Sequence, residues 1–472
     1  MPVKPNARMN LWYETSANEI KQFLGLTLNM GIVEKPSIWS YWSTDSLIET
    51  PIFHKTMSRD RYLNLLTFFH ITDNEQAVPR GHDDHNPLFK VHSFKETLQR
   101  RFRTIYTPEQ HIAIDEGMVP WKGRLSFRQY LPNKPDRFGI KLYQLSESKS
   151  GYICDFEVYT GKDFDPNPDG DEEDKQLGHS YNVVLGLLRN NNLLGKGYTV
   201  YTDNYYSSPT LFDKLRSEDT TAVGTVRLTR KEMPIALKRK MKKGEIICRQ
   251  RENLLALKWT DKRDVSILST KHTAQCSVLL NKVDRNTGDP VSKPSAILDY
   301  NCNMGGVDLS DQLNKYYSMR RKTWKWWIKL FFHLFNMAVT NSYIIYKKVA
   351  RSPVSHFQFR CEFVRYLLDS EVQRNPRGRK RSLVDNNKRL TEKYFPELIP
   401  TQPDAKVRNP TRKRVVCNTN VGKRVTPGVD SKRKETRYWC ANCEKPLCVD
   451  CFKRYHTLVQ YKLPQNNESD CD

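Results

Sequence analysis

Residues 111–118 read HIAIDEGM, and residues 197–205 read GYTVYTDNY. In each stretch a mostly apolar run ends at or near an aspartate, which predicts a strand with a carboxylate at or near its C-terminal end. Side chains at strand ends can emerge from the core into a cleft. If the two strands are neighbours, Asp115 and Asp203 therefore lie close together.

Other elements around these strands predict an α/β fold. Three further strand patterns and two helical patterns occur, at residues 141–148, 152–160, 221–226, 179–188 and 209–215. The resulting order β-β-β-α-β-α-β is typical of α/β proteins. Between residues 228 and 296, basic tracts alternate with strand-like pieces, which predicts a separate β-rich insertion.

Helical periodicity flanks this region on both sides. Apolar residues recur at helical spacing in residues 16–33, 59–69 and 94–106, so about the first 110 residues are predicted to be α-helical. Residues 324–349 form one long predicted helix with apolar side chains on most of its faces, as is typical of a buried helix.

A third group of acids occurs in GGVDLSDQL at residues 305–313. Asp308 and Asp311 share one face if the segment is helical, and the two glycines allow a close backbone approach. Together with Asp115 and Asp203, these hard oxygen ligands suit Mg²⁺ or Mn²⁺. Two such ions activate an attacking hydroxyl and stabilise a leaving oxygen. The alternative for each aspartate taken alone is a helix cap.

The charge balance favours a polyanionic partner. The formal net charge is +24, and nucleic acid is a stronger candidate than an acidic membrane. The sequence contains neither a run of eighteen apolar residues nor an apolar leader at its start, which predicts a soluble, intracellular protein.

A surplus of basic residues marks one segment near the end of the chain. Residues 374–437 carry nineteen basic and six acidic residues. The clusters RGRKR, TRKR and SKRK fit a flexible linker that serves nuclear import or phosphate contact. The alternative is a solvated tail.

The cysteines of the tail predict a zinc site. Of the 11 cysteines, four form two CxxC pairs that a histidine follows, which gives five candidate ligands: Cys440, Cys443, Cys448, Cys451 and His456. This spacing is typical of tetrahedral Zn²⁺. The nearest cysteine upstream of them is Cys417 in RVVCNTN, too far off to be assigned, so the candidates suffice for one complete site and not for two. We therefore predict one tightly held zinc ion.

Several phrases together resemble the piggyBac transposase family, including its domesticated relatives. They are AIDEGMVPWKGR at 113–124, YLPNKPDRFGIKLY at 130–143, VYTDNYYSSP at 200–209, NMGGVDLSDQL at 303–313 and NSYIIY at 341–346. The resemblance runs from about residue 16 to residue 456. It implies a ribonuclease H-like catalytic core with a two-metal site, in which Asp115, Asp203 and Asp308 match the three catalytic aspartates and Asp311 the fourth acid of the motif.

The resemblance also implies a domain order. It comprises a helical dimerisation and DNA-binding region (1–110 and 318–372), the catalytic core (111–227 and 297–317), an insertion domain (228–296), a basic linker (373–436) and a cysteine-rich zinc domain (437–460). Relatives extend further upstream, so part of the first region is expected to be absent. Trp326 matches a tryptophan that resembles a base-stacking residue, and core packing is the alternative.

The implied activity is cut-and-paste transposition of double-stranded DNA at TTAA targets, by a nuclear and homodimeric enzyme that has no membrane partner and no small-molecule substrate. The zinc module would recognise the ends of the element, or alternatively a protein partner, because its fold alone does not fix the ligand. The rival function is a domesticated DNA-binding or chromatin protein without mobilising activity. An RNA-binding structural protein would leave the acids unexplained.

Overall fold

The computed structural model describes ten segments of the chain, residues 10, 12–132, 134–274, 277–283, 290–319, 323–350, 353–368, 396–401, 410–416 and 435–458; side chains are described in all of them except at 277–283 and 290–292. The chain divides into two compact units, Met1–Val372 and Gln373–Asp472. Among the described residues, no helix combines the length and the apolar character that a membrane span requires.

Helices surround the sheet of the first unit. They are α1 (Ala17–Ile32), α2 (Pro51–Thr56), α3 (Arg59–Phe68), α4 (His92–Ile105), α5 (Glu172–Gln176), α6 (His179–Asn190), α7 (Pro209–Ser217), α8 (Ser295–Asn303), α9 (Gly306–Tyr316), α10 (Trp326–Ala350) and α11 (His356–Leu368). α1 begins at a cap in which the Ser16 hydroxyl accepts from the Glu19 backbone N–H. Helix α10 buries side chains all round, including Leu330, Leu334 and Met337, as its apolar faces predict.

One mixed sheet lies at the centre of the first unit. Its strands are β1 (His111–Pro120), β2 (Gln129–Tyr130), β3 (Phe138–Glu147), β4 (Ile153–Val158), β5 (Thr199–Thr202), β6 (Thr221–Thr225), β7 (Ile246–Arg251), β8 (Leu254–Thr260) and β9 (Asp264–Ser269). The order is β2-β3-β1-β5-β6-β9-β8-β7, and β4 also pairs with β3. β1, β5 and β6 are parallel, and the other pairs are antiparallel. The predicted α/β class is therefore confirmed.

The β-rich segment after β6 continues this sheet. Val223, Gly224 and Thr225 of β6 pair with β9, and β9 pairs with β8. The apolar end of β9 is buried where it joins the sheet, and the bounds of the predicted insertion domain (228–296) stay a prediction. A second, two-stranded sheet follows, formed by β10 (Ser277–Val283) and β11 (Pro290–Pro294).

Both faces of the sheet are covered, because alternate residues of a strand point to opposite faces. On β1, Ile112 and Ile114 belong to a core with side chains of α6 and α7. Ala113 belongs to another core that includes Ala296 and Ile297 of α8. The long apolar strands predicted from the sequence are buried for this reason.

An asparagine ties α10 to β4. The Asn341 side chain accepts from the Ile153 N–H at 3.0 Å and donates to the Ile153 carbonyl at 2.9 Å. This amide therefore pairs with the free side of β4 as a neighbouring strand would. Asn341 is 2% exposed, so water cannot replace either bond.

We expect Asn341→Ala to lower the free energy of unfolding by roughly 2–4 kcal/mol, because each buried backbone group left unpaired costs about 1–3 kcal/mol. Urea unfolding measures the change. The adjacent Ser342→Ala variant is the control, since the Ser342 hydroxyl is exposed and only donates to a carbonyl of its own helix. Equal stability of the two variants would contradict the prediction.

In its described residues, the second unit contains short strands and one helix. They are β12 (Glu397–Leu398), β13 (Arg412–Lys413), β14 (Glu435–Thr436), β15 (Tyr438–Cys440), β16 (Lys445–Pro446) and α12 (Val449–Thr457). β12 pairs with β15, and β13 pairs with β14. Parts of the predicted linker 373–436 therefore fold with the cysteine-rich tail; the rest of that linker and Cys417 lie outside the described residues.

Candidate active site and metal centres

The parallel register of β1 and β5 brings two predicted acids together. Ile114 lies opposite Thr202 in this pair, so Asp115 and Asp203 are each the next residue along. The strand end differs from the prediction at Asp115, because β1 runs on to Pro120 through its pairing with β3. The pairing that stops at Asp115 is the one with β5, which frees the carboxylate on that side.

A third carboxylate completes this group. Ligand oxygens of Asp115, Glu116 and Asp203 lie within 4.8 Å of one another. The Glu116 N–H donates to Asp115 Oδ1 at 2.7 Å, which turns the Asp115 side chain along the strand. Sequence reasoning missed Glu116, although a second acid beside Asp115 in an otherwise apolar strand was a usable signal. Three hard oxygen donors in this arrangement fit Mg²⁺ or Mn²⁺.

The three carboxyl groups differ in their affinity for protons. Burial, aided by Glu116, raises the pKa of Asp115 to about 8. Burial and Glu116 also raise the pKa of Asp203. For Glu116, burial alone would raise the pKa, but the hydrogen bond with Asp115 and the Lys141 ammonium hold it below its usual range. Asp115 and Asp203 therefore bind a proton more readily than free carboxyl groups do, and a bound cation would stabilise their ionised form.

Lys141 fixes Glu116 in place. Its Nζ lies 3.0 Å from Glu116 Oε1, and both side chains are largely buried. The same ammonium lies 4.5 Å from the ring centre of Tyr143 and 4.7 Å from that of Tyr205. These contacts limit the side-chain rotamers of Lys141 and hence the position of the carboxylate.

The other two predicted acids lie on α9. Asp308 is 76% exposed, whereas burial raises the pKa of Asp311 to about 6. The structure does not place either of them in the three-carboxylate group, among the residues it describes. Gly306 lets α9 lie close to β3, because a Cβ there would come within 2.9 Å of the Glu147 carbonyl oxygen, while Gly305 faces open space.

Gln144 connects the two sets of acids. It lies opposite Asp115 on β3 and is 1% exposed. Its side chain hydrogen-bonds Asp311 and so opposes the rise in the pKa of that carboxyl, and Ser310 donates to Gln144 Oε1 at 3.4 Å. A Cβ on Gly117 would lie 1.8 Å from the Gln144 amide nitrogen, so only glycine leaves room for this bridge. No motif in the sequence pointed to Gln144.

Lys134 lies beside Asp308 of α9, and its charge also acts on Asp115. Its Nζ is 4.0 Å from Asp308 Oδ1, and its side chain is 23% exposed. Its positive charge lowers the pKa values of Asp115 and Asp311 against the effect of burial. Sequence reasoning did not single out this residue.

The tail brings together three of its five candidate zinc ligands. Ligand atoms of Cys440, Cys443 and His456 lie within 4.8 Å of one another, with Cys443 Sγ 3.5 Å from His456 Nε2. The other ring nitrogen, Nδ1, contacts the Phe452 carbonyl at 2.8 Å, the second contact that orients metal-binding histidines. Two thiolates and an imidazole fit Zn²⁺.

Cys448 and Cys451 lie outside this group. Both are buried, one at the cap and one in the first turn of α12. They pack with Val416 and Leu447 in the small core of the second unit. Whether they bind metal, and how many zinc ions the chain holds, stay predictions.

Trp326 lies at the first turn of α10, where its ring contacts Phe127 edge to face at 5.4 Å. It packs partly buried against the core of the helical region, as the packing alternative expects. Trp324, two residues earlier, is fully exposed. Exposure thus distinguishes two tryptophans that the sequence pattern did not separate.

A family model described as Transposase IS4 matches residues 2–343. The chain belongs to this transposase family. Two human members of the piggyBac group are similar to it. PiggyBac transposable element-derived protein 3 of Homo sapiens is 26% identical over 462 residues, which cover 94% of this chain and 70% of that protein. PiggyBac transposable element-derived protein 5 of Homo sapiens is 23% identical over 377 residues, which cover 76% and 69%.

A solved transposase structure has the same fold. It is a cryo-EM structure of a piggyBac transposase synaptic complex with hairpin DNA, with a TM-score of 0.68 and 23% identity over 95% of this chain and 88% of that chain. The resemblance to piggyBac transposases read from the motifs is therefore confirmed. The fold class that this resemblance implied is confirmed as well.

Proposed function

We propose that this transposase is a cut-and-paste enzyme that cleaves DNA at the ends of an element and joins the freed ends to TTAA targets. One observation carries the proposal: the carboxylates of Asp115, Glu116 and Asp203 converge within 4.8 Å beside the parallel pair β1 and β5. Three partly buried acids this close together are costly unless a cation neutralises their charge. Their retention in a transposase fold therefore supports metal-dependent chemistry.

Bound divalent cations would activate the attacking hydroxyl and stabilise the leaving oxygen of the phosphodiester. The protein's own side chains supply the positioning. Lys141 holds Glu116, and Gln144, also on β3, holds Asp311. The ordered acids thus need little rearrangement when the DNA backbone arrives.

Double-stranded DNA is the proposed partner. The net charge of +24 supports it, as does the fold shared with a transposase that was solved with hairpin DNA. Homodimer formation and nuclear localisation are also part of the proposal. The basic clusters at 377–381 and 431–434, which suggest nuclear import, lie outside the described residues.

An assay with end-containing DNA tests the function. The DNA carries the repeats that flank the gene, next to TTAA, and purified full chain is added with Mg²⁺. We expect nicking at the element ends, hairpin formation and joining into TTAA sites of a second plasmid. Specific binding without nicking in either Mg²⁺ or Mn²⁺ would instead support the domesticated DNA-binding alternative.

The exposed tryptophan gives a further prediction. We expect Trp324→Ala to weaken DNA binding about fivefold to a hundredfold, because stacking of one base is worth about 1–3 kcal/mol. Trp326→Ala should instead lower the free energy of unfolding by about 1–2 kcal/mol, because it removes buried aromatic area. Fluorescence anisotropy and thermal unfolding measure the two effects. Exchanged outcomes would restore Trp326 as the stacking residue.

A further inference from the structure

Lys134 is less exposed than its neighbours in the turn that joins β2 to β3. The backbone of this turn is held by bonds from Leu131 N–H to the Arg137 carbonyl at 2.8 Å and from Lys134 N–H to the Leu131 carbonyl at 3.3 Å. Pro135, Asp136 and Arg137 are exposed, whereas Lys134 is partly buried. The turn therefore directs one cation inward.

That cation faces the acids. Lys134 Nζ lies 4.0 Å from Asp308 Oδ1, and its charge also acts on Asp115 and Asp311. Of these carboxylates, Asp115 belongs to the group that the proposed function assigns to divalent metal, and Asp308 is the third metal-binding aspartate that the family resemblance implies. An ammonium group and a divalent cation at one set of carboxylates repel each other, so they compete.

A lysine can leave such a site easily. Its ammonium is a compact charge on a flexible four-carbon stem, and the exposed neighbours of Lys134 leave space on the solvent side. In the enzyme with both metal and DNA bound, the DNA backbone would lie next to the acid site. A phosphate there offers the displaced ammonium a new counter-ion.

We propose that Lys134 competes with divalent cations for the acid site and turns to a DNA phosphate when such a cation binds. This inference rests on the proposed function, because it requires that the acids bind metal. The affinity for DNA then depends on the bound metal through the Lys134 side chain. Lys134 is thus a DNA-binding residue only in the metal-loaded enzyme.

Mn²⁺ binding to the full chain without DNA, followed by electron paramagnetic resonance at mildly alkaline pH, tests the competition. We expect Lys134→Gln to bind Mn²⁺ roughly tenfold more tightly than the wild type, equal to about 1.4 kcal/mol. Lys134→Arg should restore weaker binding. The matched control is Lys149→Gln, because Lys149 is 80% exposed and pairs only with Glu109 at 3.7 Å among the contacts recorded for it. Equal or weaker Mn²⁺ binding by Lys134→Gln would overturn the proposal.

DNA affinity measured in Ca²⁺ and in EDTA tests the turn to phosphate. We expect Lys134→Gln to lose affinity several-fold in Ca²⁺ and to match the wild type in EDTA. An equal loss in both conditions would show a permanent DNA contact and contradict the proposal. Asp115→Asn identifies the metal site: if it leaves Mn²⁺ binding unchanged, the proposed function fails at this site, whereas a loss with no effect of Lys134→Gln refutes the competition alone.

Discussion

Asp115→Asn is expected to reduce the rate of Mg²⁺-dependent nicking on the order of a thousandfold, about 4 kcal/mol of activation free energy. The physical reason is that asparagine keeps the shape of the side chain but loses the charge that binds metal. The defect should therefore lie in the chemical step. Binding to end-containing DNA should persist or strengthen slightly, since a negative charge near phosphate is removed. Asp203→Asn should behave alike.

The control is Asp163→Asn, a change of the same chemistry at an exposed aspartate in the acidic stretch DFDPNPDGDEED at residues 163–174. Single-turnover nicking and DNA binding are measured for each purified variant. Glu116→Gln tests whether Glu116, which sequence analysis did not identify, belongs to the acid group. A loss of nicking similar to that of Asp115→Asn would make Glu116 a member of the site. Wild-type nicking by Asp115→Asn would exclude Asp115 from catalysis.

Removal of zinc is expected to unfold the second unit and leave the first unit folded. Among its described residues, the second unit has three two-residue strand pairings and one helix of 9 residues. Such a structure buries little apolar area, whereas a structural zinc ion contributes on the order of 10 kcal/mol to small modules. Cys443→Ser should have the same effect, because Cys443 lies in the Cys440–His456 group.

Limited proteolysis with and without a chelator, combined with native mass spectrometry of the full chain, measures this result. We expect one zinc ion per chain, rapid cleavage after residue 372 when it is removed, and loss of end-specific DNA binding. Cys302→Ser is the matched control, since Cys302 is exposed and belongs to the first unit. A protease-resistant second unit in chelator would show that its small core suffices without metal.

The sequence predicted the α/β fold because its strands are long and strongly patterned. The convergence of Asp115 and Asp203 was also accessible, since each aspartate follows an apolar run. The end of β1 could not be predicted, because its pairing with β3 and its pairing with β5 end at different residues. Such an end depends on partners that a local pattern does not contain.

Other parts of the site depend on long-range contacts. Gln144 has room to reach Asp311 only because Gly117, two residues along β1 from the partner Asp115, has no side chain. Lys134 reaches Asp308 only because a turn directs it inward. Short strands such as β12 and β13 have two residues each, too few to show a period of two. For this reason, sequence patterns could not predict these strands within the basic linker.

The asparagine that pairs with β4 also bears on self-association. At the β4 end of the large sheet, the Asn341 amide already hydrogen-bonds the Ile153 N–H and carbonyl, which a strand of another molecule would need for pairing. At the opposite end, β7 presents Arg249 and Arg251 on its exposed part, and charges on an outermost strand oppose edge-to-edge aggregation. Growth of the sheet by strand addition is therefore disfavoured at both ends, and we expect a homodimer of this chain to assemble through its helices.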